Sequence, residues 1–346
     1  MTGTVLVTGG KGYVAGWCIA GLLRRGYTVR TTVRSLASEA AVRAAIAREV
    51  DPGERLSFFA ADLTRDEGWD QAMAGCDHVL HVASPLGGAA AKQGREAFVV
   101  PARDGTLRVL RAARKAGVKR VVMTSAAATA RPPLASERVS DETVWADPQD
   151  PQFDHYRVSK IIAERAAWDF VKDAPDLLTT ILPGAVFGPV LSADSLGSVA
   201  IIQGLLQGRP TALPRIGFWV VDVRDLAELH IRAMTAPEAA GQRFIAAGEF
   251  LWMEDIATTL RTRLGRRAPK VPTRRLPDFV VRLLLPFQPA LKALAPLLGR
   301  RFPLSAEKAA RVLGFTPRSA ADTIADCAES LPGFGPAHDK KNRAPQ

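Results

Sequence analysis

The sequence predicts a doubly wound α/β fold, in which helices cover both faces of a parallel sheet. Short apolar, β-rich runs alternate with longer stretches of helical periodicity through the first half of the chain. These runs are apolar nearly throughout, which is typical of strands buried on both faces. We expect strands at 4–8, 28–34, 56–60, 78–82, 120–124 and 178–182.

The composition is that of a globular protein without a membrane-spanning helix. The 346 residues are 47% hydrophobic and carry a formal charge of +11, and no apolar run is long enough to cross a bilayer. The first strand begins without a secretory leader. Cys18, Cys76 and Cys327 are scattered and give neither a disulfide framework nor the spacing of a metal site. We therefore expect a cytoplasmic protein that holds no metal.

Much of the positive charge lies in one stretch, Arg261–Arg275, which has seven basic residues and no acidic one. Such a stretch contacts phosphate backbones in some proteins. This one lacks interleaved aromatic residues and any zinc or recognition-helix signature. We interpret it as a solvated face and expect no nucleic-acid partner.

The pattern divides the chain into two domains and a tail. We expect residues 1–185 to form mainly the doubly wound domain, and 186–330 mainly a smaller lobe with segments that return to the sheet. We expect 331–346 to be a flexible tail. The apolar and basic stretch 276–302 is interrupted by prolines. It is predicted to be a lid or a packing arm, and attachment to a membrane surface is the alternative.

A glycine-rich turn follows the first strand and precedes a helix. It reads Thr8-Gly9-Gly10-Lys11-Gly12, and the helix starts near Tyr13 and Val14. Gly9 and Gly12 lack side chains that would keep the backbone away from a pyrophosphate. The first amides of the helix, including those of Tyr13 and Val14, then face the anion. The turn predicts dinucleotide binding.

The end of the second strand indicates which dinucleotide binds. NAD-selective sites usually have an acidic residue there, whereas this strand ends with Arg34. A guanidinium fits a 2′-phosphate with paired donors. Arg34 therefore predicts NADP(H), with Ser35 as an additional donor and Arg43 as a weaker one.

Two further strand ends lie along the expected coenzyme path. Asp62 and Leu63 follow the third strand, where they are suited to hydrogen-bond and cover an adenine. Val82, Ala83 and Ser84 end the fourth strand with small side chains beside the coenzyme.

Tyr156 and Lys160 lie four residues apart in a helical pattern, so their side chains share one face. A phenol with a pKa near 10 is a poor acid–base group at neutral pH. A neighbouring ammonium stabilises the phenolate and lowers this pKa. The pair is predicted to transfer a proton.

These motifs resemble those of the extended short-chain dehydrogenase/reductases. Within them the chain is most similar to the branch of dihydroflavonol and cinnamoyl-CoA reductases, over about residues 2–330. The motifs that carry the likeness are Thr8-Gly9-x-x-Gly12-x-x-Ala15, Val82-Ala83-Ser84-Pro85, Tyr156-x-x-x-Lys160, Leu182–Pro189 and Val221–Ala227.

The resemblance implies an NADP(H)-dependent transfer of hydride between the nicotinamide and a carbonyl or alcohol carbon of a small aldehyde, ketone or aryl carbonyl compound. Tyr156 would exchange a proton with the substrate oxygen, and Lys160 would position the ribose and lower the pKa of the phenol. Pro183 and Val186 would lie against the nicotinamide. Some relatives are homodimers, and a homodimer stays open here.

One position departs from the family pattern. Relatives typically have two serines after the threonine that ends the fifth strand, and the second is catalytic. This chain reads Thr124-Ser125-Ala126. Ser125 is the candidate for the missing role, Thr129 is a second, and the role being absent is the third possibility.

Two other functions remain open. The same fold hosts NAD-dependent epimerases and dehydratases of sugar nucleotides, although Arg34 argues against them. A catalytically weak NADP-binding sensor is the other alternative, which Ala126 makes credible.

Overall fold

The computed structural model describes residues 3–85, 94–192, 197–284 and 295–334. Its strands are β1 (Thr4–Val7), β2 (Thr28–Val33), β3 (Leu56–Ala60), β4 (His78–His81), β5 (Arg120–Thr124), β6 (Leu178–Pro183), β7 (Ala185–Phe187), β8 (Leu213–Pro214), β9 (Gly217–Asp222), β10 (Arg243–Ala246), β11 (Phe250–Trp252) and β12 (Arg275–Leu276). Its helices are α1 (Tyr13–Arg24), α2 (Glu39–Ala47), α3 (Trp69–Met73), α4 (Glu96–Lys115), α5 (His155–Phe170), α6 (Val199–Leu206), α7 (Val223–Thr235), α8 (Met253–Leu264), α9 (Asp278–Leu284), α10 (Glu307–Leu313) and α11 (Ala320–Ser330).

The chain divides into two compact units, each built from three segments. The first unit contains Met1–Gly184, Arg224–Ala246 and Pro303–Thr316. The second contains Ala185–Val223, Ala247–Phe302 and Pro317–Gln346. Both units are therefore made from stretches that are distant in sequence.

A seven-stranded parallel sheet forms the centre of the first unit, in the order β10-β6-β5-β4-β1-β2-β3. Val5 of β1 pairs with Val29 of β2 on one side and with His78 of β4 on the other. The strand order reverses between β1 and β4, which is where doubly wound sheets bind ligands, at the carboxyl ends of the strands. The predicted fold class is confirmed, and the six predicted strands end within a residue or two of the expected positions.

Helices cover this sheet because its strands are apolar on both faces. The first strand is typical, since Val5, Leu6 and Val7 are completely buried. On one face α4 and α5 pack against each other. Their contribution to the core includes Val109 of α4 and Ala163 of α5.

The seventh strand, β10, was not among the predicted strands. Its sequence, Arg-Phe-Ile-Ala, begins with a charged residue, and all four residues are buried. A short run without alternation carries no periodic signal, so its burial depends on contacts made elsewhere in the chain.

The second unit contains smaller sheets. Strand β9 pairs with β7 in parallel and with β11 in antiparallel orientation, and β8 pairs with β12. From the predicted arm at 276–302, the side chains of Val281, Leu297 and Leu298 pack with Ile216 of the same unit. Positions 285–294 of this arm lie outside the described residues, as do 335–346 of the predicted tail.

Length and charge decide whether a helix of the described ranges could cross a bilayer. The longest, α4, has 20 residues and carries charged side chains such as Arg103 and Asp104. No helix in the described part of the chain is both long and apolar enough to cross a membrane.

A buried ion pair joins α5 to the edge of the parallel sheet. Arg243 of β10 donates from Nε to Oε1 of Glu164 on α5, at 2.9 Å, and the Glu164 side chain is completely buried. The hydroxyls of Thr180 and Ser125 donate to the same carboxylate at 2.8 and 2.7 Å. Burial opposes ionisation of Glu164, but the charge and hydrogen bonds of Arg243 outweigh it, and the pKa of this carboxyl lies below its ordinary value.

The remaining donors of Arg243 are also engaged. Its Nη1 donates to the carbonyls of Glu142 and Val144 at 2.9 and 2.7 Å, and its Nη2 donates to the Thr129 hydroxyl at 3.2 Å. Its guanidinium also lies 3.7 Å from the centre of the Trp145 ring. The ion pair is therefore hydrogen-bonded on both sides, as a buried charge requires.

We expect Arg243→Met to lower the free energy of unfolding at pH 7 by about 3–5 kcal/mol, because it leaves the Glu164 carboxylate buried without a cation. In the wild type this carboxylate stabilises the fold above its ordinary pKa, and the contribution is lost as the pH falls through its lowered pKa. In the variant, burial raises the pKa of Glu164 instead. The stability difference between the proteins should therefore shrink between pH 7 and pH 5, which urea unfolding measures.

The double variant Arg243→Met/Glu164→Gln is the matched control. A neutral amide removes the uncompensated charge, so the double variant should recover part of the lost stability. An equal loss at both pH values, or a double variant that is no more stable than Arg243→Met, would contradict the assignment of the destabilisation to the buried charge.

Candidate active site

The turn after β1 has little room for side chains. Gly9 has a φ of 71°, which disfavours other residues, and a Cβ added there would lie 3.0 Å from the Cβ of Ala83. A Cβ at Gly10 would lie 2.3 Å from the hydroxyl of Thr31. Gly12 donates from its amide to the Gly9 carbonyl at 2.8 Å, closing the turn. The sequence pattern indicates Gly9 and Gly12, whereas the steric constraint on Gly10 is visible only in the structure.

The turn leads directly into the positive end of α1. Gly12 is the N-cap residue and has no side chain with which to cap the helix. The first turn contains Tyr13, Val14 and Ala15 and no acidic residue. The dipole of α1 therefore favours an anion at this end.

A hydroxyl joins the ends of β1 and β4. The Thr8 hydroxyl accepts hydrogen bonds from the amides of Val82 and Ala83, at 3.1 and 3.0 Å. It is therefore free to donate to Nδ1 of His81 at 2.9 Å, which leaves Nε2 of His81 as the donor to Thr106 at 3.3 Å. Burial, with a smaller contribution from the charge of Lys160, lowers the pKa of His81 to about 3, so this ring is neutral. The structure thus brings Val82 and Ala83 beside the β1–α1 turn, and Ser84 follows them partly buried.

The ends of β2 and β3 bring Arg34 close to Asp62. Arg34 is exposed directly after β2, and Asp62 and Leu63 follow β3. Burial opposes ionisation of Asp62, but hydrogen bonds from Thr64 and the charge of Arg34 outweigh it and lower the pKa of the carboxyl. Leu63 packs toward α4, where a Cβ at Gly105 would lie 2.7 Å from the Leu63 Cβ.

The two additional donors predicted near Arg34 have partners of their own. The Ser35 hydroxyl accepts from the Ala37 amide at 3.3 Å. Arg43 pairs with Glu39 at 2.9 Å and donates to the Leu56 carbonyl at 2.6 Å. Arg43 therefore stabilises this part of the fold, and the guanidinium that remains exposed at the end of β2 is that of Arg34.

Helix α5 brings Tyr156 and Lys160 to the carboxyl edge of the sheet. The helix begins where the Asp154 side chain accepts from the Arg157 amide at 2.8 Å. One turn after Tyr156, Lys160 is buried and donates from Nζ to the Thr124 carbonyl, at the end of β5, at 2.9 Å. The predicted pair is thus held on one face of α5.

The protein groups around the pair set its protonation. Burial raises the pKa of Tyr156 to about 12, with Arg157 opposing and Asp154 adding to this increase. Burial lowers the pKa of Lys160 to about 8, and Glu164 opposes this decrease. Tyr156 is therefore a neutral phenol at pH 7, and Lys160 is mostly an ammonium. The lowering of the Tyr156 pKa by Lys160 stays a prediction.

The hydroxyl of Ser125, the candidate for the role of the family's catalytic serine, is hydrogen-bonded within the protein. It donates to Glu164 at 2.7 Å and is buried. The Thr129 hydroxyl, the second candidate, donates to the Ala126 carbonyl at 2.8 Å. Each hydroxyl has one proton, so neither is available to a substrate oxygen in this arrangement.

Pro183 and Val186 belong to different units. Pro183 is the buried last residue of β6 and pairs with Ala246 of β10. Val186 lies in β7 of the second unit and is partly buried. Their predicted contact with a nicotinamide stays a prediction.

The chain is similar to proteins from several plants. The family model described as the NAD dependent epimerase/dehydratase family matches residues 5–247. Cinnamoyl-CoA reductase 1 of Petunia hybrida is 37% identical over 261 residues, which is 74% of this chain and 76% of the relative. Dihydroflavonol 4-reductase of Zea mays is 33% identical over 272 residues, 75% and 74% of the two chains.

Solved structures agree with this likeness. Gre2 of Candida albicans in complex with NADPH is 26% identical and superposes with a TM-score of 0.76, covering 96% of this chain and 99% of that one. Vestitone reductase from alfalfa is 25% identical, with a TM-score of 0.73 and coverage of 95% and 98%. The chain therefore belongs to the NAD dependent epimerase/dehydratase family and, within it, to the extended short-chain dehydrogenase/reductases of the cinnamoyl-CoA and dihydroflavonol reductase branch.

Proposed function

We propose that this chain is an NADP(H)-dependent reductase that interconverts a carbonyl compound and its alcohol. The observation that carries the proposal is the contact of buried Lys160 with the Thr124 carbonyl, one turn after Tyr156. This contact lies at the carboxyl edge of the sheet, the edge at which the β1–α1 turn also lies. The named reductases among the relatives support the same activity.

The residues at the β1–α1 turn fit a dinucleotide. The lack of side chains at Gly9 and Gly12 and the uncapped start of α1 suit the close approach of a pyrophosphate. Arg34 would bind the 2′-phosphate, which distinguishes NADP(H) from NAD(H). Asp62 and Leu63 would contact the adenine, with Val82, Ala83 and Ser84 farther along. When bound, the coenzyme supplies or accepts the hydride.

In this proposal Tyr156 is the proton donor during carbonyl reduction. Because its pKa is about 12, the phenol holds its proton at neutral pH until negative charge develops on the substrate oxygen. The proton then moves from the phenol to this oxygen, and Tyr156 is left as a phenolate. The Lys160 ammonium stabilises the phenolate and holds ribose hydroxyls.

We propose that no hydroxyl from the end of β5 assists Tyr156. The protons of Ser125 and Thr129 are engaged with Glu164 and with the Ala126 carbonyl. Ala126, which occupies the family's serine position, has no donor. The lack of this hydroxyl favours a reductase that is slower than relatives with the serine. An NADP-binding sensor stays the second candidate, and it would bind NADPH without turnover.

We also propose a cytoplasmic location. Cys18, Cys76 and Cys327 are buried free thiols. Free cysteines are typical of a reducing compartment. Association into a homodimer stays a prediction.

We expect Tyr156→Phe to lower kcat by about 10²- to 10⁴-fold, because it removes the proton donor. Turnover is measured by NADPH absorbance with a panel of aromatic and aliphatic carbonyl compounds, and NADPH affinity by fluorescence. Affinity should change little. Tyr27→Phe, at a partly buried tyrosine directly before β2, is the control and should keep full activity. Unchanged turnover in Tyr156→Phe would rule out the proposed role.

We expect Arg34→Glu to weaken NADPH binding by at least about tenfold while NADH binding changes much less, since only NADPH has the 2′-phosphate. Arg111→Glu makes the same charge change at an exposed position of α4. It controls for the effect of net protein charge on the binding of an anionic coenzyme. Equal losses for the two coenzymes, or an effect of equal size in Arg111→Glu, would contradict the assignment.

We expect Ala126→Ser to raise kcat by about tenfold or more, because a donor to the oxyanion commonly contributes 10²- to 10³-fold. Ala127→Ser, one residue later, is the control and should leave kcat unchanged. If Ala126→Ser is no faster than the wild type, another group already fills the role of the serine.

A further inference from the structure

Thr124, the last residue of β5, is hydrogen-bonded through both its carbonyl and its hydroxyl. The carbonyl accepts from Nζ of Lys160 at 2.9 Å. The hydroxyl lies 2.7 Å from Nε2 of His230 on α7. The β4–β5 ladder ends at the pair of His81 and Met123, one residue before Thr124. The Thr124 carbonyl is therefore available to the Lys160 ammonium.

The hydrogen bonds of His230 define which nitrogen carries the proton. Nδ1 lies 2.8 Å from the Leu226 carbonyl, which can only accept, so Nδ1 is the donor. Nε2 of the neutral ring is then the acceptor for the Thr124 hydroxyl. Burial lowers the pKa of His230 to about 4; the Leu226 hydrogen bond opposes this decrease and Lys160 adds to it. The ring is therefore neutral at pH 7 and able to accept.

Two other polar residues of the described ranges interact with the Lys160 ammonium through its charge and have hydrogen-bond partners of their own. The carboxylate of Glu164 raises the Lys160 pKa through its charge, but its oxygens are occupied by Arg243, Thr180 and Ser125. His81, the other ring whose pKa Lys160 lowers, is neutral and bonded to Thr8 and Thr106.

We propose that His230 is a positioning residue for Lys160, acting through Thr124. By accepting the Thr124 hydroxyl, His230 fixes the end of β5 and so aims the Thr124 carbonyl at the Lys160 ammonium. The chain of hydrogen bonds runs from α7 through β5 to α5, within the first unit. Its catalytic consequence rests on the proposed function of Lys160.

The same series of hydrogen bonds explains why a histidine suits position 230. An acceptor must face the Thr124 hydroxyl without bringing a negative charge that would form an ion pair with Lys160. A neutral imidazole with its proton held on Nδ1 meets both conditions. It is also rigid, so the distance between the Leu226 carbonyl and Thr124 is set by the ring.

The test compares Thr124→Val and His230→Leu with wild type. Thr124→Val removes the hydroxyl and keeps both the shape of the side chain and the carbonyl. Thr179→Val is the matched control, because Thr179 is a buried threonine of β6 whose hydroxyl donates to the Ala239 carbonyl at 2.6 Å. Two readouts are used: the pH titration of the Lys160 Cε resonance, assigned with Lys160→Met, and the pH profile of kcat.

Thr124→Val and His230→Leu should each lower the Lys160 pKa by about 0.5–1 pH unit. The alkaline limb of the kcat profile should shift to lower pH by the same amount, and kcat should fall by about 3- to 10-fold. The double variant should be no worse than the more affected single variant, since both act through one hydrogen bond. Thr179→Val should move neither titration.

An unchanged Lys160 titration in Thr124→Val would overturn the proposal, even if His230→Leu fails to fold. Additive effects in the double variant would do the same. If wild type shows no turnover with any carbonyl compound, the proposed function fails, and the resonance titration still decides the positioning role.

Discussion

The carboxylate of Glu164 is completely buried, so it must be balanced by protein groups alone. The cation that balances it, Arg243, lies on the edge strand β10, and the hydroxyls that bind it come from β6 and from the residue after β5. A shift of α5 along the sheet by one turn would separate these partners and leave an uncompensated buried charge. The ion pair therefore fixes the register of α5, and with it Lys160 one turn earlier and Tyr156 two turns earlier.

This arrangement also determines the charge available at the site. Because Arg243 is the ion-pair partner of Glu164, the Lys160 ammonium donates to a neutral carbonyl. A direct pair between Glu164 and Lys160 would cancel much of the positive field that a phenolate needs. Burial lowers the Lys160 pKa to about 8, so this charge is retained at neutral pH. Burial has the opposite consequence for Tyr156, which stays a neutral phenol and so has a proton to give.

The sequence predicted those parts of the fold and site that depend on neighbours in the chain. The β1–α1 turn and the helical spacing of Tyr156 and Lys160 are local patterns, and the central strands are short runs rich in apolar residues. Gly10 was missed because its constraint comes from Thr31 on another strand. Arg243 was missed because a buried arginine is recognisable only beside its partner, 79 residues away. Arg43 stays a prediction as a weaker donor to the coenzyme, and the structure adds its contacts with Glu39 and with the Leu56 carbonyl.

The position of the missing serine follows from the alternation of side chains in extended backbone, where successive residues point to opposite sides. Ser125 points to Glu164, while the Thr124 side chain before it points to His230. Ala126 is extended, with φ −156° and ψ 148°, so its side chain points to the opposite side from that of Ser125. To bring the Ser125 hydroxyl to the position of the Ala126 side chain, the backbone at the end of β5 would have to rotate. The buried Glu164 carboxylate would then lose the hydrogen bond that Ser125 donates to it. We therefore expect Ser125 to take the role of the serine that Ala126 lacks only if the end of β5 rearranges and the hydrogen bond to Glu164 is given up.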